Sequence, residues 1–284
     1  MKFREMLSGD RARLAPAVFN PLSAKLAEHA GFQMLYLSGG VLGYIKCSLE
    51  ANLGLTEVIQ TGIEIRAACE LPLIMDGVCG WGDPMHVGFT VKMAESVGFC
   101  AIEIEDQLLP KRAHHHAGIE HMIPAELMAA KLRQAVRARR NPEFVIIGRT
   151  NGVRSTNMDD ALRRAEAYQK AGADMLFIIP RTPDEARFIA QRLPAPLMFS
   201  LQSDDVQSFG MSLDELGKLG FRVVTITTPA LAFHRAMQQT YRAIASGRPN
   251  PVLAGTTRKA EQQALHNTLG FEALLEIERA TVER

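Results

Sequence analysis

Charged side chains stand where short apolar runs of the sequence end, and their types could bind a metal ion. Asp76 and Glu105 each close such a run, and hard carboxylate oxygens suit a Mg²⁺ ion that keeps several waters. The same pair could instead cap helices or form salt bridges. Glu103 lies two residues before Glu105, so both side chains leave a strand on one face, where an unpaired carboxylate is costly. We therefore infer a metal ion or a buried cation near Glu103.

Two other features at the ends of apolar runs could bind an anionic ligand. The guanidinium of Arg149 is suited to bidentate recognition of a carboxylate or phosphate, or to a structural salt bridge with Asp76 or Glu105. The segment Ser38-Gly39-Gly40 could present backbone N–H groups and a hydroxyl to an anion, or form a tight turn. These features predict an anion site beside the carboxylates.

Three consecutive histidines follow the run that ends in Glu105, and Lys111 and Arg112 precede them. The side chains of His114, His115 and His116 cannot all converge on one ion without an unusual backbone, because zinc ligands are generally spaced along the chain. The pattern favours a partly exposed loop in which one histidine does acid–base or hydrogen-bonding work.

The elements that position these residues follow from the alternation of apolar runs and amphipathic stretches, which is typical of strands alternating with helices. The predicted strands cover 14–18, 34–37, 73–75, 100–104, 144–147, 175–179, 197–199 and 222–226. The predicted helices between and after them cover 21–30, 55–69, 86–96, 125–139, 158–171, 184–192, 212–219 and 230–245. Eight strands in this order predict an α/β fold, a (β/α)8 barrel of the TIM type, whose catalytic groups gather at the C-terminal ends of the strands.

The barrel is expected to form one domain over residues 1–245, followed by a C-terminal helical extension over 246–284. Glycine follows four of the predicted helices, where a left-handed residue ends a helix, and an apolar strand comes next. Residues 258–283 read as a further helical tail. The predicted barrel already has a helix for each strand, so the extension would have to cover another surface. We therefore expect a homo-oligomer.

Composition excludes several classes of protein. The 284 residues are 47% hydrophobic, with 32 basic against 31 acidic side chains, so nothing indicates a nucleic-acid or membrane surface. The four cysteines show no CxxC pairing, which argues against a zinc ribbon or a disulfide framework and favours reduced thiols. We found no apolar window of about 18 residues and no signal-peptide core, so a cytoplasmic location is expected.

Several motifs together resemble the isocitrate lyase and phosphoenolpyruvate mutase superfamily, nearest the methylisocitrate lyase branch, over about residues 15 to 240. They are Tyr36-Leu37-Ser38-Gly39-Gly40, Asp76 with Gly80-x-Gly82, Ile104-Glu105-Asp106-Gln107-x-x-Pro110-Lys111-Arg112-x-x-His115, and Gly148-Arg149-Thr150. The resemblance implies a barrel that is usually tetrameric, a dimer of dimers with a helix exchanged between neighbours. It also implies Mg²⁺, with Mn²⁺ as a substitute, a small 2-oxo or 2-hydroxy acid substrate and an enolate intermediate.

The resemblance further implies roles for individual residues. Asp76 and Glu105 would hold the metal, and Arg149 would bind the substrate carboxylate and the oxygen on which charge develops. Lys111, Arg112 and His115 would lie on a loop that closes over the site. The predicted catalytic set is Lys111, Arg149, His115 and His114, and the predicted substrate-binding set is Tyr36, Ser38, Gly39, Gly40, Asn52, Trp81 and Arg112.

The chain departs from the lyases at several positions. Val78 replaces a second aspartate and Asn52 replaces another, and we hypothesise that Glu103 supplies the carboxylate lost at Val78. Ala113 replaces the cysteine that protonates the departing enolate, so His114 or His115 would take its place, or the reaction needs no such acid. Further replacements are Ile179 for a glutamate and Ser200-Leu201-Gln202 for an Asn-Met-Thr-like segment.

Four functions remain open. The first is an aldolase-type carbon–carbon lyase acting on a small 2-oxo or 2-hydroxy di- or tricarboxylic acid through a Mg-stabilised enolate, which the Lys-Arg-x-x-His loop favours. The second, an oxaloacetate decarboxylase-like enzyme, is favoured by the missing cysteine. A phosphonate mutase or hydrolase comes third, because the loop lacks the Lys-Thr-Asn pattern of those branches. The fourth is a non-catalytic protein that binds a 2-oxo acid, which Asn52 and Val78 favour.

Overall fold

The computed structural model describes residues 2–203 and 205–283, and its centre is a closed barrel of eight parallel strands in sequence order. The predicted (β/α)8 barrel is confirmed, and each predicted strand overlaps an observed one. The strands are β1 Arg13–Val18, β2 Leu35–Leu37, β3 Leu73–Asp76, β4 Ala101–Glu105, β5 Val145–Thr150, β6 Met175–Ile178, β7 Leu197–Ser200 and β8 Phe221–Ile226.

Helices surround the barrel and also continue beyond it. They are α1 Phe3–Leu7, α2 Pro21–His29, α3 Gly39–Ile45, α4 Leu55–Ala68, α5 Pro84–Val97, α6 Ala125–Ala138, α7 Gly152–Ser155, α8 Met158–Lys170, α9 Pro183–Arg192, α10 Val206–Phe209, α11 Leu213–Lys218, α12 Thr228–Ala245, α13 Arg258–Leu269 and α14 Phe271–Thr281. Three 3₁₀ turns cover Glu50–Asn52, Ala113–Ala117 and Pro251–Leu253. The short helices α1, α3, α7 and α10 were not predicted, because a few residues carry too little periodicity.

The core fills the barrel and the layer between strands and helices, because the strands of a parallel sheet are covered on both faces. Its largest fully buried side chains include Phe177, Phe199 and Phe221, and the last two rings meet edge to face with centroids 5.2 Å apart. Burying one such ring contributes about 1.5–3 kcal/mol to folding. This rigid interior holds the strand ends, and hence the functional side chains, in place.

The C-terminal extension contains two helices, α13 and α14. Gly270 adopts a left-handed φ of 68°, which ends α13 and starts α14. Neither helix has a buried residue, and each exposes large apolar side chains, Leu265 and Leu269 on α13 and Leu274 and Ile277 on α14. Across residues 2–203 and 205–283, no helix combines the length and the apolarity that a membrane crossing requires.

Candidate active site

The predicted carboxylates and Arg149 meet at the C-terminal ends of β2 to β5. The register of the sheet pairs Asp76 with Glu103 and Glu105 with Arg149, so neighbouring strands bring these side chains together. Asp76 and Arg149 line a cavity of about 190 Å³, smaller than the ~300–1,000 Å³ of pockets for drug-sized ligands. A site of this size suits a small ligand.

Arg149 is a fixed, buried cation on the wall of this cavity. Its Nη1 donates to Glu103 Oε1 at 2.8 Å, its Nε lies 3.4 Å from Glu105 Oε2, and its guanidinium carbon lies 4.7 Å from the centre of the Phe177 ring. Burial lowers the pKa of Arg149, but Glu105 and Glu103 more than offset this and hold the pKa well above its ordinary value. Arg149 therefore presents a permanent positive charge to any anion in the cavity.

Both carboxylate oxygens of Glu103 are already engaged by protein donors. Oε1 accepts from Arg149, and Oε2 accepts from the Tyr36 hydroxyl at 2.7 Å. Burial raises the pKa of Glu103 to about 8, against the opposing effect of Arg149. Burial also raises the pKa of Tyr36 well above its ordinary value, so its hydroxyl stays a neutral donor. Glu103 thus holds Arg149 and Tyr36 together at the base of the cavity.

Lys111 reaches into the site from the loop after β4 and forms ion pairs with Glu50 and Glu105. Its side chain is almost fully buried. Burial lowers the pKa of Lys111, but Glu105 and Glu50 raise it by a larger amount, so the net shift is upward. For Glu105, burial raises the pKa while Lys111 and Arg149 more than offset it, so the net shift is downward. Lys111 and Glu105 therefore remain oppositely charged.

Asp76 is oriented by backbone groups rather than by a cation. The N–H of Gly39 donates to Oδ2 at 2.9 Å, and the N–H of Val78 donates to Oδ1 at 3.0 Å. A Cβ on Gly39 would lie 2.9 Å from Glu50 Oε2 and 3.3 Å from Asp76 Oδ2, so only glycine leaves this space open. Val78 holds a left-handed φ of 49°, which is strained for a β-branched residue. The segments around Gly39 and Val78 thus present the Asp76 carboxylate.

The Ser38-Gly39-Gly40 segment begins helix α3 instead of forming a free anion-binding turn. Ser38 is the N-cap, and its Oγ accepts from the N–H of Val41 at 3.4 Å. Ser38 and Gly40 still line the cavity, as Tyr36 does. The Gly39 N–H, which the sequence assigns to the substrate, is used by Asp76.

The three histidines of the loop separate into different environments. His115 lines the cavity, and its Nδ1 lies 2.7 Å from Glu120 Oε2. His116 also lines the cavity and pairs through Nδ1 with the Tyr44 hydroxyl at 2.9 Å. His114 is exposed and pairs with His121 at 3.1 Å. Of the two histidines proposed to replace the cysteine, the structure brings His115 to the cavity and leaves His114 outside.

Eight residues assigned to the site from sequence do not line the cavity. Four of them contact residues that do, namely Gly39, Glu103, Glu105 and Lys111. The other four are Asn52, Trp81, Arg112 and His114. The exposed Asn52 donates to Ser48 Oγ at 3.1 Å, and the indole N–H of Trp81 donates to the Leu53 carbonyl at 2.9 Å. Arg112 is exposed on the loop beside the buried Lys111. The 3₁₀ turn at Glu50–Asn52 explains the first case, because it turns Glu50 inward and Asn52 toward solvent.

Sequence reasoning missed three charged residues of this region. Glu50 is buried and pairs with Lys111, and Arg154 lines the cavity beside the buried Glu120. A glutamate in a short turn gives no periodic signal, so nothing in the pattern separates Glu50 from a solvent-exposed residue. Arg154 lies five residues after Arg149. Its position directly after a barrel strand, where active-site groups gather, could have marked it as a candidate.

Comparison with known proteins identifies the family. Residues 3–245 match the family model described as phosphoenolpyruvate phosphomutase. The chain belongs to this family. It is 30% identical to the 2-methylisocitrate lyase of Shewanella oneidensis over 281 residues, which cover 96% of this chain and 94% of that one. It is 31% identical to the oxaloacetate decarboxylase of Rhodopseudomonas palustris over 256 residues, which cover 89% of this chain and 87% of the relative.

A solved structure has the same architecture as this chain. A crystal structure of phosphonopyruvate hydrolase in complex with oxalate and Mg²⁺ superposes with a TM-score of 0.84 at 28% identity, covering 98% of this chain and 97% of that one. The superfamily resemblance inferred from the motifs is therefore confirmed.

The donor set at the barrel mouth fits a Mg²⁺ ion of the hydrated kind. No three His, Cys, Asp or Glu side chains within residues 2–203 and 205–283 form a metal-holding group. Mg²⁺ does not need such a cage, because one or two carboxylates and several waters usually suffice. The carboxylates of Glu50, Glu103 and Glu105 pair with Lys111 and Arg149, and His115 lies 3.4 Å from Glu50. Within the described residues, Asp76 takes part in no ion pair. A divalent cation would balance that charge.

Proposed function

We propose that this member of the phosphoenolpyruvate phosphomutase family is a carbon–carbon lyase of the aldolase type, acting on a small 2-oxo or 2-hydroxy acid with more than one carboxylate. The observation that carries the proposal is Arg149, a buried guanidinium fixed at the wall of a small cavity next to a carboxylate cluster. A second guanidinium, Arg154, lines the same cavity and would bind a second carboxylate.

The reaction of such a lyase leaves an electron pair that becomes an enolate. Arg149 would bind the substrate carboxylate and the oxygen on which negative charge develops, where a preorganised donor is most effective. Tyr36 and Ser38 would contact the same end of the substrate from the cavity wall. Lys111, buried by its ion pairs, would keep the loop after β4 closed over the site and exclude water. His115 would supply the proton that the enolate takes up.

We propose that Asp76 and Glu105 would hold a Mg²⁺ ion, largely through water, with Mn²⁺ as a substitute. When bound, the metal would supply Lewis-acid stabilisation of the enolate oxygen. For Glu103 we propose a different role from the ligand role predicted from sequence. Because its oxygens bind Arg149 and Tyr36, it would hold the substrate-binding guanidinium in place.

A second candidate is decarboxylation of an oxaloacetate-like acid, which yields the same kind of enolate. The observation that favours it is Ala113, an exposed residue without a proton to give, because water can protonate the enolate that a decarboxylation leaves. His115 in the cavity favours the first candidate, because a retro-aldol cleavage needs a placed acid.

One assay separates the candidates. The purified protein is incubated, with and without Mg²⁺, with oxaloacetate and separately with methylisocitrate, isocitrate and citramalate, while pyruvate, glyoxylate and CO₂ are followed. Cleavage of a hydroxy acid supports the aldolase-type lyase. Metal-dependent pyruvate and CO₂ from oxaloacetate alone supports the decarboxylase. Absence of turnover with every acid, together with no stabilisation by oxalate, would contradict the proposal.

We further propose a homo-oligomer, a dimer of dimers, in which the 246–284 extension is exchanged between subunits of the 1–245 barrel. The exposed apolar side chains of α13 and α14 support this, because large exposed apolar patches mark interaction surfaces. Light scattering of the full chain and of a chain ending at residue 255 tests it: a tetramer that dissociates on truncation is expected.

The four free cysteines support a reducing, cytoplasmic location, which fractionation of cells tests.

A further inference from the structure

Glu120 is a buried carboxylate that the proposed chemistry leaves without a role. Its side chain is fully buried beside the cavity, on the segment that follows the 3₁₀ turn Ala113–Ala117. Its Oε2 lies 2.7 Å from His115 Nδ1 and also accepts from the Gln107 amide. Its Oε1 lies 3.4 Å from Arg154 Nη1. Burying a carboxylate is costly unless it is paired, so this arrangement needs an explanation.

The two ring nitrogens of His115 face different groups. Nδ1 lies 2.7 Å from Glu120 Oε2 and 2.7 Å from the Gln107 amide nitrogen, which itself donates to Glu120. Nε2 lies 3.4 Å from Oε1 of Glu50, a residue that lines the active-site cavity. A carboxylate that accepts from one imidazole nitrogen decides which nitrogen carries the proton in the neutral ring. It also fixes the orientation of the ring and stabilises the imidazolium.

We propose that Glu120 is a positioning residue that holds the Nδ1–H tautomer of His115, so that Nε2 is the nitrogen that exchanges a proton with the substrate carbon. The proposal deepens the proposed function and rests on it for the identity of the proton acceptor. In the imidazolium form, the Nε2–H bond breaks and its proton bonds to the enolate carbon, which supplies the electron pair from its carbon–carbon double bond. Neutral His115 then takes up a proton from water before the next turnover.

Other proton donors of the loop are less well placed. His114 is exposed and pairs with His121, and the proton of His116 Nδ1 or of the Tyr44 hydroxyl is shared between that pair. Lys111 is held by two carboxylates, which stabilise its charged form and oppose proton release. His115 alone among these combines a cavity-facing nitrogen with a buried carboxylate on the opposite nitrogen, within the described residues.

Several charged groups surround His115. Glu120 Oε2 lies 2.7 Å from Nδ1 and Glu50 Oε1 lies 3.4 Å from Nε2, while Lys111 pairs with the same Glu50 oxygen. The His116 ring lies 5.4 Å away, and Arg154 pairs with the other oxygen of Glu120.

The test combines ¹⁵N spectroscopy with kinetics. Long-range ¹H–¹⁵N spectra of histidine-labelled wild-type protein report the tautomer of His115, assigned with His115→Asn. The Nδ1–H form is expected, and it should be lost or mixed in Glu120→Gln. On the acid that the panel identifies, Glu120→Gln should lower kcat about tenfold to a hundredfold with little change in KM.

Controls separate this inference from the proposed function. Glu126→Gln changes an exposed carboxylate at the start of α6 and should leave kcat and the His115 signals unchanged. Glu120→Asp keeps the charge and should recover part of kcat. The wild-type spectrum needs no variant, so it decides the matter even if Glu120→Gln fails to fold. A wild-type Nε2–H tautomer, or an unchanged tautomer and kcat in folded Glu120→Gln, would overturn the inference. A confirmed Nδ1–H tautomer without turnover of any acid would instead count against the proposed function.

Discussion

The two halves of the barrel mouth are built from opposite kinds of residue. The half formed by β2 to β5 contributes carboxylates and Arg149, joined by buried ion pairs and hydrogen bonds. The half formed by β6 to β8 contributes uncharged lining residues, Ile179, Ser200, Gln202 and Thr227. The first half has the charged groups that could stabilise an enolate. The second half has only uncharged side chains, which can contact a ligand through its shape and through neutral polar groups. We therefore expect substitutions in the first half to affect the proposed chemistry and substitutions in the second to affect which substrates fit.

The difference has an energetic basis. Glu103 and Glu105 have no solvent exposure, and removing one partner of a buried ion pair costs about 3–5 kcal/mol because the other charge stays behind. Substitution of a paired residue in the β2 to β5 half should therefore lower both the free energy of unfolding and the catalytic activity. The second half contains no such pair among its lining residues, so its substitutions should alter selectivity first.

The largest effect is expected from Arg149→Met in the charged half. Removing a fixed donor to a developing oxyanion should lower kcat/KM about 10²–10³-fold. Steady-state kinetics on the acid that the substrate assay identifies measures this loss of kcat/KM. Arg149→Lys keeps one charge but not the guanidinium fork, so it should keep more stability and recover little activity. Arg187→Met, an exposed arginine of α9, is the matched control. Activity of Arg149→Met near the wild-type level would remove Arg149 from the chemistry.

A second prediction separates the carboxylates of the charged half by their roles toward the metal. Asp76→Asn should weaken Mg²⁺ binding by at least about tenfold, since a carboxylate proposed as a ligand is neutralised. Glu103→Gln should leave Mg²⁺ affinity nearly unchanged and raise KM, because its oxygens serve Arg149 and Tyr36. Calorimetric titration with Mg²⁺ measures both. Equal losses of affinity in the two variants would restore Glu103 as a ligand.

The uncharged half should respond through selectivity. Ile179 is buried on the cavity wall, and Ile179→Ala enlarges the space there. A methylene in an apolar pocket is worth about 1–3 kcal/mol, so the ratio of kcat/KM for a longer acid over a shorter one should rise about tenfold. Competition between two acids from the panel measures the ratio. If kcat for both acids fell a hundredfold with no change in the ratio, the separation of roles between the halves would not hold.

The smallest effect on activity is expected behind the charged half, where Asp106 accepts from the Tyr168 hydroxyl at 2.7 Å. Tyr168→Phe removes one donor from a buried carboxylate and should lower the free energy of unfolding by about 1–3 kcal/mol. Denaturant titration measures the loss, and kcat should remain close to that of the wild type. Tyr241→Phe, at an exposed tyrosine of α12, is the control. A large loss of kcat without loss of stability would show that Asp106 acts in the reaction.

The fold could be predicted because its signals are local and repeated. Each apolar run became a strand, and glycine ended helix α5 with the left-handed φ that its position suggested, as Gly98 shows. The sequence predicts a helical tail over 258–283 but not its division at Gly270, because helices tolerate single glycines at modest cost.

The site could be predicted only in part. Asp76, Glu105 and Arg149 were found because they end barrel strands, where position alone fixes the direction of a side chain. Glu50 and Asn52 lie two residues apart in a single turn, and only the folded backbone decides which one enters the site. Glu120 was missed for the same reason, since its burial depends on how the loop folds back onto His115.

Binding of oxalate, a planar dianion that resembles the enolate of a 2-oxo acid, tests most directly whether the charged half forms the reaction centre. Isothermal calorimetry would compare the wild-type protein with and without Mg²⁺, and Arg149→Met with Mg²⁺. The account predicts that oxalate binds the wild type more tightly with Mg²⁺. It also predicts that affinity falls at least about a hundredfold in Arg149→Met, since the Arg149 guanidinium would form a bidentate pair with an oxalate carboxylate. Equal binding by the two proteins, or none by either, would contradict it.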